Sequence, residues 1–326
     1  ALFSRFVTYD DSLRLVADLI TEIPTIANGG IRADHLQYTY HLRPDAQWHD
    51  GTPLTAADVV FTWEIIMDAD AGAESQEGWD IIDHVETPDA HTVVFHLSEP
   101  YVNFVEDTFY DEDVLPKHLL DGSRGKAFAE SDFHRAPIGS GPFRFVEWVP
   151  GSHVTLQRFD DWYGDTAMLD EVVFKFVTDV TALSVQLRAG EIDGCDNADV
   201  SQLAILERIP HMRVMQTPSM AYSHVTVQCK GGILEDVRVR RALSWATDKQ
   251  AIVDGVFEGV AAPAASGKLP LSDWYNPAVE EWTLHDPERA RATLAAAGWV
   301  DEDGDGIRER DGKRLRLRMS TGAGRL

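Results

Sequence analysis

Apolar and polar positions alternate between residues 36 and 42, with Leu36, Tyr38, Tyr40 and Leu42 on one side of an extended chain. This period of two predicts a strand with one buried face. Pro44-Asp45 turns the chain, Trp48-His49 is expected to begin a second short strand, and Asp50-Gly51 is a turn signal. Thr55 then opens a helix. Thr55-Ala56-Ala57-Asp58 has capping-box spacing, in which the fourth side chain reaches back to the cap N–H, with Asp in place of the usual Glu or Gln. Val59, Trp63, Ile66 and Met67 fall on one face of that helix.

A hairpin is expected next, with arms over 81–87 and 92–97 joined by Pro88-Asp89-Ala90-His91. An irregular, aromatic-rich stretch follows over 101–120, and then a second hairpin over 137–159 with Pro150-Gly151 at its tip. Gly139 and Gly141 mark a place where two backbones pass closely, since glycine alone brings no Cβ to such a crossing. Beyond Met168 strands and helices alternate: a strand over 172–179, a helix over 180–190 ended by Gly190, a strand over 191–197 and a short helix over 200–209. Strands over 212–217 and 222–228 and two helices within 237–259 continue the pattern, which predicts an α/β domain. Asp286-Pro287 opens another helix, Gly298 closes it, and residues 314–320 read as a strand. At 326 residues the chain can bury a substantial core and is expected to form two domains.

Charge changes the picture of partners. Against 29 lysines and arginines stand 54 acids, a formal net charge of -25. Such a surface repels phosphates and anionic membranes, so neither nucleic acid nor a membrane surface is expected as a partner. No run of eighteen apolar residues suggests a membrane span, and the first residues lack the basic start and apolar core of a signal peptide. Residue 1 is Ala, so the numbering is expected to begin inside a longer gene product. Cys195 and Cys229 are too few for a disulfide scaffold or a cysteine-based zinc site; one bridge and two buried free thiols both remain open.

Catalytic signatures are missing from the sequence: there is no phosphate loop, no G-x-G-x-x-G, no H-E-x-x-H, no C-x-x-C and no G-x-S-x-G elbow. No cofactor is expected. Asp301, Asp303 and Asp305, with Gly306 after them, occupy the first, third, fifth and sixth positions of a calcium loop, but Gly312 stands where the bidentate Glu belongs. An acidic surface turn is the alternative. The twelve histidines are scattered; His41 with His49, and His91 with His96, are not at helical ligand spacing and are expected on the surface or in hydrogen bonds. His49-Asp50 sits in a turn before a helix cap and is expected to be architectural rather than a catalytic pair. The binding candidate is the aromatic stretch. Tyr101, Phe104, Phe109 and Tyr110 lie beside Glu106, Asp107, Asp111, Glu112 and Asp113, a combination suited to a cationic or amphipathic small molecule. The alternative is a loop pinned to the core by its rings.

The stretch YTYHLRPDAQWHDGTPLTAADVVFTWE closely resembles the signature of the bacterial extracellular solute-binding proteins of family 5, the dipeptide-, oligopeptide- and nickel-binding components of ABC importers. In the same order, IGSGPFRFVEWVPG, LQRFDDWYGD, VQLRAGEIDGCDN, DVRVRRALSWATDKQAIVDGVFEGVAAPA and RARATLAAAGWVDEDGDGIRERDGKRLRL resemble further family segments. The resemblance implies an α/β, periplasmic-binding-protein-like fold of two lobes with an extra subdomain. Residues 1–36 and 137–262 would form lobe I, 37–136 its extra subdomain, and 263–326 the beginning of an incomplete lobe II. The chain would then start after the family's first strand and stop early in the second lobe, and such a fragment is expected to bind solute weakly. The implied function is a monomeric substrate-binding component, periplasmic, extracellular or lipid-anchored. It would take a small solute, by default a peptide, and hand it to a membrane permease. A metal chelate, a sugar and a ligand-sensing role are the alternatives, and an enzyme is the remote one. Ligand contacts are expected from Tyr101, Phe104, Phe109 and Tyr110, and from Tyr222 and His224 in the segment Ala221-Tyr222-Ser223-His224. Val227-Gln228-Cys229 departs from the Asn-Thr or Asn-Asn that the family often carries there.

Overall fold

The computed structural model describes every residue except 11, 13, 74, 110–111, 197, 218–220, 269, 271–274 and 321–326. The chain divides into two compact units, Ala1–Val177 and Thr178–Leu326.

In the first unit β1 (Val7–Tyr9) pairs with β2 (Leu15–Ala17). β3 (Gln37–His41), α1 (Ala56–Ile66), β4 (Ile82–Asp89) and β5 (Thr92–Leu97) follow, then the short helices α2 (Phe104–Phe109), α3 (Lys117–Leu120) and α4 (Lys126–Ala129). The strands form an antiparallel sheet of order β3-β5-β4. β6 (Phe143–Val149), β7 (His153–Arg158) and β8 (Glu171–Lys175) form a second antiparallel sheet in that order, with the β6–β7 turn at Pro150-Gly151 as expected. The alternation over 36–42 does what the pattern predicts. Tyr38 and Tyr40 pair with Phe95 and Val93, and all four are fully buried on one sheet face. Phe104 comes down from α2 onto Tyr38 and Phe95, with ring centroids 4.7 and 5.7 Å apart, and Phe6 lies 5.2 Å from Tyr40. Burying each such ring contributes about 2–3 kcal/mol.

The capping box at α1 forms. The buried Asp58 carboxylate accepts from the Thr55 N–H at 2.8 Å, and its other oxygen accepts from the Lys117 N–H at 2.9 Å. One acid therefore starts α1 and fixes α3 against it. Two expectations change here. Trp48-His49 is not a strand; an isolated bridge joins Gln47 to Pro53, and the Trp48 N–H donates to the Thr52 carbonyl across the Asp50-Gly51 turn. The aromatic stretch is irregular only in part, because α2 forms over Phe104–Phe109 where Phe104 buries against the sheet, and α3 over Lys117–Leu120.

The glycine crossing is present. A Cβ on Gly139 would lie 1.9 Å from the Leu2 carbonyl oxygen, and one on Gly141 would lie 2.4 Å from that of Ala1. The Leu2 carbonyl accepts from the N–H groups of Ser140 and Gly141 at 3.0 and 2.8 Å. His49 closes the junction: its N–H donates to the Gly139 carbonyl at 2.9 Å, its Nδ1 accepts from the Gly139 N–H at 3.1 Å, and its Nε2 lies 3.0 Å from the Gly141 carbonyl. Since a carbonyl only accepts, Nε2 carries the proton and the ring is neutral.

The second unit contains α5 (Val180–Ala189), α6 (Leu203–Leu206), α7 (Val237–Ala246), α8 (Lys249–Val256), α9 (Pro287–Ala296) and the hairpin of β9 (Glu309–Arg310) with β10 (Lys313–Arg314). Aspartates 179, 236, 248 and 286 cap α5, α7, α8 and α9 with their side chains, and Gly190 ends α5 in the left-handed conformation at φ 73°. α7 packs on α9 through Ala242, Trp245 and Ala290, and beside them through Val239, Ala297 and Trp299. The expected strands over 191–197, 212–217 and 222–228 have no ladder partner among the described residues, and of 314–320 only Arg314 belongs to a strand. Alternation shows that a segment has two faces; a strand also needs a neighbour to take its N–H and C=O groups, and periodicity does not supply one. Cys195 and Cys229 are free and exposed, which corrects both a bridge and buried thiols.

Two predictions follow from the crossing. Gly139→Ala is expected to lower unfolding stability by about 3 kcal/mol, because backbone must move to admit a methyl group. Gly151→Ala, at an open hairpin tip with φ 74°, should cost about 1–2 kcal/mol for its left-handed backbone alone; equal losses in urea titrations would refute the crossing. Burial pushes the His49 imidazole below its ordinary 6.5. The unfolded chain then takes up this proton first, so the contribution of His49 is complete above about pH 6.5 and is lost as pH falls from there toward the depressed folded value. The urea midpoint should fall more steeply between pH 7 and 5 in the native protein than in His49→Gln; parallel curves would exclude the effect.

Candidate functional site

His49 is committed to holding backbone. Its neighbour Asp50 accepts from the Thr52 N–H at 3.0 Å and pairs with His118 Nε2 at 2.8 Å. Burial raises the Asp50 pKa, but these bonds outweigh it and the net shift is downward. The pair is a turn and its fastening. A serine–histidine–acid string does occur at the β6–β7 hairpin, where Ser152 Oγ lies 2.9 Å from His153 Nδ1 and His153 Nε2 lies 3.4 Å from Glu147. It sits on an exposed hairpin end, away from the features an acyl-transfer site requires.

The aromatic segment divides into different roles. Phe104 is fully buried in the core of the first unit, so it acts by packing. Tyr101 is half-buried against the same core, and its carbonyl accepts from the Tyr38 hydroxyl at 3.0 Å. Phe109 ends α2, and Tyr110 lies outside the described residues. Two of the neighbouring acids are engaged: the Tyr9 hydroxyl donates to the Glu106 carboxylate, and Arg5 Nε pairs with Asp113 at 3.0 Å. Behind them Asp18 accepts from the Arg5 N–H at 3.0 Å and from the Tyr163 hydroxyl at 2.7 Å, while the Arg43 guanidinium lies 5.0 Å from the Tyr163 ring centre. Burial first, and the Asp18 charge second, push the Tyr163 phenol far up, so it remains a donor. Sequence reasoning missed Arg5, Tyr9, Asp18 and Tyr163. Nothing local marks them, because the network joins positions as far as 145 residues apart.

Tyr222 and His224 belong to the second unit, where they form a ring pair with centroids 5.0 Å apart and planes 33° apart. Tyr222 is 45% exposed, and His224 Nε2 lies 3.1 Å from the Thr226 hydroxyl. A Cβ on Gly267 would lie 2.6 Å from the Tyr222 hydroxyl, so glycine there lets the backbone close over that oxygen. Open ring faces beside polar atoms suit stacking on planar or apolar groups of a ligand.

The acidic loop is built of side-chain-to-backbone turns. Asp301 accepts from the N–H groups of Gly304 and Gly306 at 2.8 and 3.0 Å, Asp303 from that of Asp305 at 3.1 Å, and Asp305 from that of Ile307 at 2.8 Å. The acid that the sequence lacks at position 312 comes instead from Glu309. Its carboxylate is within 4.8 Å of those of Asp301 and Asp303, and it is 9% exposed. These donors suit a hard cation in type. Arg314 already meets their charge: its guanidinium pairs with Asp305 and lies 3.7 Å from Glu309 and 3.9 Å from Asp303.

Comparison with known proteins identifies the whole. The model of the bacterial extracellular solute-binding proteins, family 5 (middle) matches residues 18–325. The chain is 30% identical over 325 residues to the oligopeptide-binding protein AppA of Bacillus subtilis, covering 99% of this chain and 59% of that relative. The structure of that protein with a nonapeptide is similar at a TM-score of 0.75, across 96% of this chain and 61% of the other. NikZ from Campylobacter jejuni, solved with Ni(L-His), is similar at a TM-score of 0.77 with 29% identity, across 96% of this chain and 61% of the other. The chain thus spans about 60% of the length of the relatives it matches. Its mixed helix-and-sheet fold is that of periplasmic-binding-protein relatives of this class, and it belongs to the bacterial extracellular solute-binding proteins of family 5.

Proposed function

We propose that the protein is the substrate-binding component of an ABC importer, that it binds peptides, and that it delivers them to a membrane permease from a periplasmic or extracellular position. The observation that carries this reading is the alignment with an oligopeptide-binding protein along 99% of the chain, with a matching fold. A binding rather than catalytic role agrees with the side chains: three of the perturbed groups, His49, Asp50 and Tyr163, hold scaffold atoms. In this reading residues 1–36 and 137–262 form lobe I, 37–136 its extra subdomain and 263–326 the start of lobe II. The protein works as a monomer by closing lobes around solute. The Tyr101 segment, with Phe109 and Tyr110, and the Tyr222–His224 pair contribute ligand contacts. A metal chelate is the second reading, favoured by the equal likeness to NikZ solved with Ni(L-His).

The full-length protein, purified under native conditions and then denatured, should release peptides detectable by mass spectrometry. A released metal chelate would replace the peptide assignment with the second reading. With the released ligand in hand, Tyr222→Ala should weaken binding about fivefold, equivalent to about 1 kcal/mol of ring contact; unchanged affinity would remove Tyr222 from the site.

A further inference from the structure

From the outer face of the β3-β5-β4 sheet we infer that His84, Glu86 and His96 form a binding site for a borderline divalent transition-metal ion such as Zn2+ or Ni2+. His84 on β4 stands directly opposite His96 on β5 in the antiparallel ladder. Glu86 is two residues beyond His84, which puts it on the same side of the strand. This is the side opposite the face where Phe104 packs on Phe95, so the cluster is separate from the core and from α2. The two imidazoles stack with centroids 4.1 Å apart and planes 7° apart. Glu86 Oε1 lies 3.8 Å from His84 Nε2 and 3.7 Å from His96 Nε2, and the three candidate ligand atoms are all within 4.8 Å of one another.

Three features separate this cluster from an ordinary polar patch. Asp83 holds His84 in the tautomer that a metal needs. Its carboxylate is 2.7 Å from His84 Nδ1, and because a carboxylate accepts, Nδ1 carries the proton and Nε2 keeps its lone pair toward Glu86. Adjacent strand residues ordinarily point to opposite faces, but the register shifts between Ile82 and His84, and this bulge at Asp83 brings the two side chains together. The third feature is His96, whose Nε2 is shielded from solvent and has no hydrogen-bond partner. A buried polar atom without a partner is costly, and an ion between it and Glu86 would satisfy it.

Two nitrogens and one carboxylate oxygen with a position left for water match zinc, nickel or copper and disfavour calcium or magnesium, which prefer all-oxygen sets. With metal–nitrogen bonds of about 2.0–2.1 Å, ligand atoms sit roughly 3.3 Å apart around a tetrahedral ion. The observed 3.7 and 3.8 Å close to that spacing when the parallel rings tilt toward one another.

The test is isothermal titration of the protein with ZnCl2 and NiCl2 after its two exposed thiols are alkylated, and Co2+ titration followed by visible absorption. One equivalent should bind at micromolar concentration, with a Co2+ spectrum of low coordination number. His84→Gln and His96→Gln should each weaken binding at least about tenfold, and Asp83→Asn, which removes a positioning residue, by about tenfold. His153→Gln, on the other sheet, should change nothing. Glu86 is more than half exposed, so Glu86→Gln tests the site with little burden on folding. No binding below about 1 mM, or equal affinity in the native protein and in Glu86→Gln, His84→Gln and His96→Gln, would overturn the assignment.

Discussion

The first unit depends on a place where there is no room for a side chain. Residues 1 and 2 pass over Gly139 and Gly141 so closely that the Leu2 carbonyl accepts two N–H groups from the segment beneath it. Ser4 extends the contact, donating its N–H to Ser140 Oγ and its hydroxyl to the Ser140 carbonyl, both within buried surroundings. Trp162 donates to Ser4 from the far side of the hairpin. Through His49 the same junction catches the turn that leads into α1, and the Asp58 cap passes that position on to α3. Four distant stretches are thereby fixed by hydrogen bonds that exist only because two residues lack a Cβ.

From this junction the sheet inherits its place. Tyr38 and Tyr40 leave the 20–42 region facing inward, and their partners Phe95 and Val93 set the register. A slip of one residue would put both tyrosines in water and His41 and Thr39 in the core, so burial selects a single pairing. The chosen pairing also sets what meets on the outer face. Nothing in the strand interior asks for His84 opposite His96; the bulge at Asp83 and the inward demand of Phe95 and Leu97 bring them there.

Legibility in the sequence follows the range of the interaction. The Thr55–Asp58 cap, the left-handed Gly190, the Asp286-Pro287 helix start and both hairpins could be read because each is decided within a few residues. The glycine crossing was legible because the closely spaced Gly139 and Gly141 have little other use. The strands expected over 191–228 were misread because a partner strand is a property of the fold and not of the segment. Family likeness singled out Tyr101 and Tyr222–His224 as candidates, but the burial of Phe104 and the pairing of Glu106 with Tyr9 depend on tertiary neighbours. Glu309 was overlooked because the expected position of the last calcium-loop acid was taken from another loop geometry.

Fold and ligand are therefore separate questions for this chain. Glycine crossings, caps and inward-facing rings are satisfied by few residue types, so the fold constrains them tightly. Neighbours of this same architecture were solved with a nonapeptide in one case and with Ni(L-His) in another. A scaffold that holds such different solutes cannot choose between them; that choice lies in the side chains the fold presents rather than in the fold itself. The parts of this protein that are easiest to read are those that the fold constrains. The parts that decide its solute are those the fold leaves free.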